Sequence, residues 1–175
     1  MNICLKILLL TIILFICSCS GHKKAVNDYD DVYNNSIIEK QYFKFREDDT
    51  SSSLYDEING WLGIPYKYGG NTKNGVDCSG FVCQIYKSVY HINLERNSSA
   101  IFYKNCKRID KRDMKEGDLI FFSTRKKSRN INHVGIFLKD DKFVHASSSK
   151  GVIINSLDKP YYQKNYICSG RVITR

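Results

Sequence analysis

A cysteine in the segment VDCSGFV is the residue best placed to act as a nucleophile. Cys78 follows Asp77, a residue type that favours the N-cap of a helix. Apolar residues then recur at helical spacing: Phe81, Val82, Ile85, Tyr86 and Val89. Because the N-terminus of a helix lowers the pKa of a thiol, we expect Cys78 to react as a thiolate, with Gly80 letting a substrate backbone come close. The alternative is a cysteine packed as a small apolar residue.

Two of the four histidines lie in neighbouring segments with strand character. We predict that His133 takes the thiol proton as the general base and later protonates the leaving amine. We predict that His145 accepts a hydrogen bond from His133 Nδ1–H and so fixes its tautomer. His22 lies in a polar N-terminal segment, and His91 follows the cysteine helix at a position that favours the surface.

The turn between the two histidine segments decides whether their side chains share a face. A regular two-residue turn at 140–141 pairs Ile136 with His145 and leaves His133 on the opposite face of the sheet. The catalytic arrangement therefore requires an irregularity. We expect either a bulge at Gly135 or a turn with an odd number of residues.

A zinc site is the competing interpretation of the same residues. Thiolate and imidazole are common zinc ligands, so Cys78, His133 and His145 could form a three-ligand site. The sequence contains no Cys-x-x-Cys or His-Glu-x-x-His spacing. We therefore expect neither a metal ion nor another cofactor.

The elements that must position these residues are helices first and strands later. Helical spacing of apolar residues predicts a helix over 54–62, which Gly63 and Pro65 end. Strands are predicted at 117–122, 133–138, 142–146, 151–155 and 170–174. This order predicts an α+β fold in which the N-terminal helices, including the one with the cysteine, pack on an antiparallel sheet of about five short strands.

The N-terminal segment predicts export and attachment to a membrane. Lys6 precedes the apolar run ILLLTIILFI, which is too short for a bilayer core of about 30 Å and fits a signal peptide. Ile16 and Ser18 precede Cys19 as in a bacterial lipobox. We predict a lipoprotein signal peptide over 1–18, a lipidated Cys19 with a polar tether over 19–53, and a folded domain over 54–175. Ordinary secretion with incidental cysteines is the alternative.

Charge and composition narrow the class of partner. The net charge of +9 suits an anionic partner such as an acidic polymer or a membrane surface. The basic residues are scattered, and no zinc-finger, RNA-binding or recognition-helix pattern is present. We therefore do not expect nucleic acid as a partner, and we expect a monomer in the cell envelope, at the outer membrane or in the periplasm if the organism is Gram-negative.

Six motifs stand in the order typical of the NlpC family of cell-wall cysteine endopeptidases, which the chain resembles over residues 54–175. They are PYKYGG at 65–70, DCSGF at 77–81, ERNSS at 95–99, GDLIFF at 117–122, HVGIFL at 133–138 and KFVHA at 142–146. The resemblance implies a papain-like α+β fold and hydrolysis of peptidoglycan stem peptides. The bond is typically the one between D-γ-glutamate and the following diamino acid.

The resemblance also implies individual roles. Cys78 is the nucleophile, His133 the base and His145 the third member. Tyr68 resembles the family tyrosine that helps hold the oxyanion beside the Cys78 backbone N–H. Positions similar to substrate-binding ones are Asp77, Ser79 and Arg96. The chain departs from the family at ERNSS, where a proline often precedes the arginine.

Two other functions stay open on the sequence. One is a wall-binding module with little catalysis, and the other is a related thiol amidase or acyltransferase on the same scaffold. The presence of Cys78, His133 and His145 together favours the endopeptidase over the binding module, because binding alone does not need all three.

Overall fold

A six-stranded antiparallel sheet is the centre of the folded part of the chain. The computed structural model describes residues 52–125 and 128–173. Its helices are α1 (Ser52–Asn59), α2 (Cys78–Tyr90), α3 (Ser98–Ala100) and α4 (Pro160–Asn165). Its strands are β1 (Asn71–Thr72), β2 (Gly75–Val76), β3 (Cys106–Ile109), β4 (Leu119–Phe122), β5 (His133–Phe137), β6 (Lys142–Ser147), β7 (Gly151–Ser156) and β8 (Tyr166–Val172). A π-helical turn at Ile101–Asn105 and a 3₁₀ turn at Lys111–Asp113 flank β3.

The five predicted strands are all present, and a sixth joins them. The strand order is β3-β8-β4-β5-β6-β7, and β1 with β2 forms a separate small hairpin. The sixth strand, β3, is a half-exposed edge strand without a clear apolar alternation, which is why the pattern did not predict it. The last strand begins at Tyr166, four residues before the start that the sequence predicts, and passes through Gly170. A side chain at Gly170 would collide with Cys106 Cβ on the adjacent strand.

The helix α2 begins at Cys78, as the sequence predicts. Asp77 has an extended backbone, and its side chain accepts a hydrogen bond from the backbone N–H of Gly80. The helix ends at His91, which is exposed and adopts a left-handed conformation with φ 57°. Its apolar face is buried against the sheet, so the start of the helix is held firmly at one end of the strands.

The β5–β6 turn has an odd number of residues, which confirms one of the two irregularities expected from the sequence. Phe137 pairs with Phe143, and the backbone N–H of Leu138 donates to the carbonyl of Lys142 at 2.8 Å. Three residues, 139–141, therefore form the loop. Asp140 and Asp141 both adopt left-handed backbone conformations there, with φ 58° and 54°. The odd count places His133 and His145 on the same face of the sheet.

The sheet separates two apolar clusters. Leu119 and Phe121 of β4 point into the main core with α1 and α2. The alternate residues, Ile120 and Phe122, point the other way and pack in a smaller cluster with Phe143. Tyr162 of α4 packs against this smaller cluster. Because Phe143 and His145 are two residues apart on β6, the two histidines predicted to be catalytic lie beside the smaller cluster.

Candidate active site

The Cys78 thiol lies at the floor of a polar cleft. Cys78 is the first residue of α2 and is only 8% exposed. The cleft has a volume of about 490 Å³ and is bordered by residues that include Tyr66, Tyr68, Asp77, Ser79, Arg96 and Asn132. A thiol at the first turn of a helix and inside such a cleft can meet a substrate, whereas a cysteine that only fills core space has no such opening.

Burial decides the charge of the thiol at rest. It raises the pKa of Cys78 to about 11, and the Asp77 carboxylate adds to this increase. Backbone N–H groups of Val134, Ser79 and Cys78 itself act in the opposite direction but do not outweigh burial. The expectation that the helix N-terminus yields a resting thiolate is therefore wrong. The desolvation of the sulfur is the larger effect.

His133 and His145 are joined by a direct hydrogen bond between their rings. The distance from His133 Nε2 to His145 Nδ1 is 2.8 Å, and the rings are perpendicular. The predicted pair is therefore present, but the ring atom differs: His133 uses Nε2 toward His145 and not Nδ1. Nδ1 is therefore the ring nitrogen of His133 that is not used toward His145. The backbone N–H of Val134, the next residue, acts on the Cys78 sulfur, which places the start of β5 at the nucleophile.

The absence of a side chain at Gly135 makes this ring contact possible. Gly135 lies between His133 and His145 on the shared face. An added Cβ would come within 2.9 Å of the Val144 carbonyl oxygen and 3.2 Å of His145 Cβ. The glycine therefore allows β5 and β6 to approach closely at this position, and it does not form a bulge.

Burial keeps both imidazoles neutral. It lowers the pKa of His133 to about 4. The pKa of His145 is well below its usual value, because of burial first and the neighbouring His133 second. His145 is only 3% exposed. With the thiol protonated as well, the resting site carries no charge on these three groups, so the thiol proton must move when the sulfur attacks.

A second network joins the other predicted residues Asp77, Ser79 and Arg96. Arg96 donates from both terminal nitrogens to the Asp77 carboxylate, at 2.7 and 3.0 Å, and to Ser79 Oγ at 2.7 Å. Asp77 also accepts from the backbone N–H of Gly69 at 2.8 Å. Burial opposes the charge on Asp77, but the bonds from Arg96 and Gly80 outweigh it and keep its pKa below the usual value.

This network corrects the expectation for Gly80. Gly80 is buried, and an added Cβ would overlap the Gly70 carbonyl oxygen and lie 2.8 Å from an Arg96 terminal nitrogen. The glycine therefore lets the loop before α2 and the Arg96 guanidinium pack on the helix. It does not make room for a substrate backbone.

The two tyrosines of PYKYGG have different positions. Tyr68 is 90% exposed at the rim of the cleft. Tyr66 is half-buried, and burial raises its pKa, as do the electrostatic interactions with Cys78 and then Asp77. Its backbone bridges to Val76, which anchors it beside the start of α2. The structure thus brings Tyr66, not the predicted Tyr68, close to the nucleophile, and the alternation of the two tyrosines did not distinguish them.

Two further residues at the site were missed by the sequence reasoning. Tyr162 Oη lies 3.0 Å from His145 Nε2, and Asn155 Nδ2 donates to Tyr162 Oη at 2.9 Å. Neither residue lies in one of the six motifs. The helix that carries Tyr162 has only six residues, which is too short for a periodic signal.

Comparison with known proteins agrees with this geometry. The model of the NlpC/P60 family matches residues 63–171. The chain belongs to the NlpC/P60 family. Murein DD-endopeptidase MepS/Murein LD-carboxypeptidase of Escherichia coli K12 is 38% identical over 130 residues, which cover 74% of this chain and 67% of that protein. A probable endopeptidase of Haemophilus influenzae is 35% identical over 167 residues, which cover 95% of this chain and 96% of that protein.

Solved structures confirm the papain-like α+β fold expected for an NlpC/P60 domain. A Bacillus cereus NlpC/P60 family protein superposes with a TM-score of 0.64 at 31% identity, and covers 71% of this chain and 41% of that chain. A Staphylococcus aureus NLP/P60 family protein, described as similar to a lipoprotein, gives a TM-score of 0.64 at 32% identity and covers 74% and 43%. This chain thus spans under half of either solved chain.

The expectations for the N-terminus, a membrane span and a metal site meet different outcomes. The predicted signal peptide, Cys19 and most of the tether lie outside the described residues. Among residues 52–125 and 128–173, no helix is long and apolar enough to span a bilayer. The same residues contain no cluster of three or more His, Cys, Asp or Glu side chains arranged to hold a metal ion. The four cysteines within them are all free thiols.

The neutral histidines make the folded chain sensitive to acid. Their folded pKa values lie below the unfolded value of about 6.5, so the unfolded chain binds more protons as the pH falls through that value. We expect the contribution of the two histidines to the free energy of unfolding to be fully present above pH ~6.5. It should decrease toward pH ~4, by up to about 1.4 kcal/mol per pH unit for each histidine.

Urea unfolding at several pH values measures this slope. The double variant His133→Gln, His145→Gln retains the carboxylates and isolates the contribution of the two imidazoles. We expect a flatter dependence between pH 6.5 and 5 in the variant. Equal slopes in the two proteins would contradict neutral burial of the histidine pair.

Proposed function

We propose that this chain is a cysteine endopeptidase that hydrolyses peptide bonds in peptidoglycan. The observation that carries the proposal is the arrangement of Cys78 and the histidine pair. The thiol opens into a cleft, the backbone beside His133 contacts the sulfur, and His133 is held by a 2.8 Å bond to His145. Names of relatives in the family, such as MepS and the probable peptidoglycan endopeptidase LytE of Bacillus subtilis, support the wall as substrate.

The chemistry begins with a neutral thiol and a neutral imidazole. As the Cys78 sulfur attacks the substrate carbonyl carbon, its proton passes to His133 Nδ1. The carbonyl oxygen becomes an oxyanion, which the Cys78 backbone N–H and the Tyr66 hydroxyl stabilise. His133 then protonates the leaving amine, and a thioester remains on Cys78. Water, activated by His133, hydrolyses the thioester and restores the thiol.

The network of Asp77, Ser79 and Arg96 shapes one wall of the substrate cleft. Its hydrogen bonds are used internally: Asp77 accepts from Arg96, Ser79, Gly69 and Gly80. Both terminal nitrogens of Arg96 are also engaged. A substrate group that binds here directly must displace one of these bonds. We propose that the three residues contribute mainly shape and rigidity to the cleft.

Two bonds of the stem peptides are candidates for cleavage. The family resemblance favours the bond between D-γ-glutamate and the diamino acid. The relatives MepS and MepH of Escherichia coli K12 are both named murein DD-endopeptidases, which favours the DD cross-link between stem peptides. We place the DD cross-link first, because the similarity to MepS covers 74% of this chain.

Digestion of purified sacculi tests the activity and identifies the bond. We expect the full-length chain to release soluble fragments with new peptide ends, which mass spectrometry assigns to one bond. Cys78→Ala removes the nucleophile and should lower the rate on the order of a thousandfold or more. Cys83→Ala is the matched control and should retain activity, because Cys83 lies on the same helix as Cys78 but its thiol donates to the carbonyls of Leu94 and Glu95 beyond the helix.

Other results would replace this proposal. Binding to sacculi without new peptide ends, with Cys78→Ala equal to the parent, indicates a wall-binding module. Cleavage of the sugar–peptide amide indicates an amidase. A transferred acyl group indicates an acyltransferase.

The assignment of the oxyanion role to Tyr66 is tested by two matched variants. Tyr66→Phe removes the hydroxyl beside the nucleophile, and we expect kcat to fall about a hundredfold. Tyr68→Phe removes a hydroxyl at the open rim, and we expect a change within about twofold, since an exposed group gives little net stabilisation. Steady-state kinetics on soluble cross-linked muropeptides compares them. A larger loss in Tyr68→Phe would return the role to Tyr68.

We also propose that the mature chain is anchored in the cell envelope by lipid on Cys19. The lipobox-like sequence before Cys19 supports this proposal. Multiple acyl chains give a firm anchor, because each buried methylene contributes about 0.8 kcal/mol. We expect the mass of the mature N-terminal peptide to include acyl chains on Cys19, and Cys19→Ser to leave the membrane fraction. An unmodified peptide beginning elsewhere would indicate ordinary secretion.

A further inference from the structure

A row of hydrogen bonds continues from His145 away from the cleft. His133 Nε2, His145 Nδ1, His145 Nε2, Tyr162 Oη and Asn155 are linked in sequence by bonds of 2.8, 3.0 and 2.9 Å. The four side chains come from β5, β6, α4 and β7, so four separate elements converge on this row. Tyr162 is not among the described residues that line the cleft. Its hydroxyl contacts the histidine pair at His145 Nε2, and this hydrogen bond is the route by which we expect it to affect the reaction.

The Tyr162 ring is fixed by aromatic packing. Its centroid lies 4.8 Å from Phe143, 5.5 Å from His145 and 5.7 Å from Phe122, in edge-to-face geometry in each case. Such contacts define the ring orientation in a core. The hydroxyl is therefore held in place by the smaller apolar cluster and does not depend on the hydrogen bond to His145 for its position.

The row permits two arrangements of protons, since each bond carries one. If the Tyr162 hydroxyl donates to His145 Nε2, then His145 must donate from Nδ1 to His133 Nε2. A neutral His133 then carries its proton on Nδ1, where it cannot accept the thiol proton. If His145 instead donates from Nε2 to Tyr162 Oη, its Nδ1 accepts from His133 Nε2–H. His133 Nδ1 then has a free lone pair for the thiol.

We infer that Tyr162 is a positioning residue that selects the second arrangement, by accepting a hydrogen bond from His145 Nε2–H. Asn155 supports it from the other side of the hydroxyl. In the orientation found in the structure, Asn155 Nδ2 donates to the hydroxyl and Asn155 Oδ1 is buried without a hydrogen-bond partner among the described residues. The arrangement we infer requires the amide turned by 180°, which brings Oδ1 to the position 2.9 Å from Tyr162 Oη, where it accepts the hydroxyl proton, and moves Nδ2 to the place of Oδ1. The row then runs in one direction from His133 to Asn155.

This inference rests on the proposed peptidase activity for its kinetic consequence, but the tautomers can be measured without substrate. The full-length chain, labelled with ¹⁵N in its histidine rings, gives separate signals for protonated and unprotonated ring nitrogens. At pH 7 we expect both His133 and His145 to be protonated on Nε2. A proton on His145 Nδ1 would overturn the inference, whether or not the chain cleaves peptidoglycan.

Tyr162→Phe provides the kinetic test. The variant retains the ring and removes the acceptor for His145 Nε2–H, so we expect the Nδ1–H tautomer of His145 to become populated. On soluble cross-linked muropeptides, kcat should fall about tenfold, while KM stays within about twofold because Tyr162 does not line the cleft. Tyr161→Phe is the matched control on the same helix: Tyr161 is exposed, and we expect it to leave kcat and the tautomers unchanged.

The possible results separate the roles. An unchanged kcat and unchanged ring signals in Tyr162→Phe would overturn the inference, as would an equal loss in Tyr161→Phe. If Tyr162→Phe fails to fold, the ring signals of the parent chain still decide between the two tautomers. If the parent chain has no peptidase activity, the proposed function fails while the ring signals continue to test the positioning role.

Discussion

The hydrogen bond between His133 Nε2 and His145 Nδ1 is the contact on which the site depends. It requires that two strands present their histidines on one face and at close approach. The three-residue turn at 139–141 gives the first condition, because an even loop would reverse the face of one histidine. Gly135 gives the second, because a Cβ there would collide with the Phe143 ring and the Val144 carbonyl oxygen on the adjacent strand. The number of residues in the turn thus determines the position of His133, the proposed general base.

A single carboxylate organises the other half of the site. Asp77 caps α2 through the Gly80 N–H, binds Arg96 and holds the Gly69 backbone. The cap of the nucleophile helix, the loop that carries Tyr66 and the wall of the cleft are therefore joined through one side chain. Because Asp77 is buried and both of its oxygens are paired, it holds these parts against one another. Such rigidity suits a site that must hold a thiol and an imidazole in a fixed relative position.

The sequence predicted what repeats locally and missed what depends on three-dimensional approach. The helical face after Cys78 was correctly placed, and the parity argument for the 139–141 turn was confirmed. The five predicted strands are all present, but the last begins at Tyr166 and not at Gly170. The choice of Tyr68 over Tyr66 was not confirmed, because the alternation along PYKYGG cannot show which tyrosine ring faces the helix. The ring atom of His133 and the contact with Tyr162 depend on strand pairing and packing between distant segments, which no local pattern encodes.

Burial explains why a neutral histidine, and not a carboxylate, suits the third position. His145 lies at 3% exposure beside Phe143, where an ionised acid would lose most of its hydration. A neutral imidazole avoids this cost but stabilises the developing imidazolium of His133 less than a charged partner would. In the proton arrangement that we infer, the hydrogen bond to Tyr162 compensates in part, because donation from His145 Nε2 increases electron density at Nδ1. The dry environment thus favours proton transfer that coincides with attack, over a charge pair formed in advance.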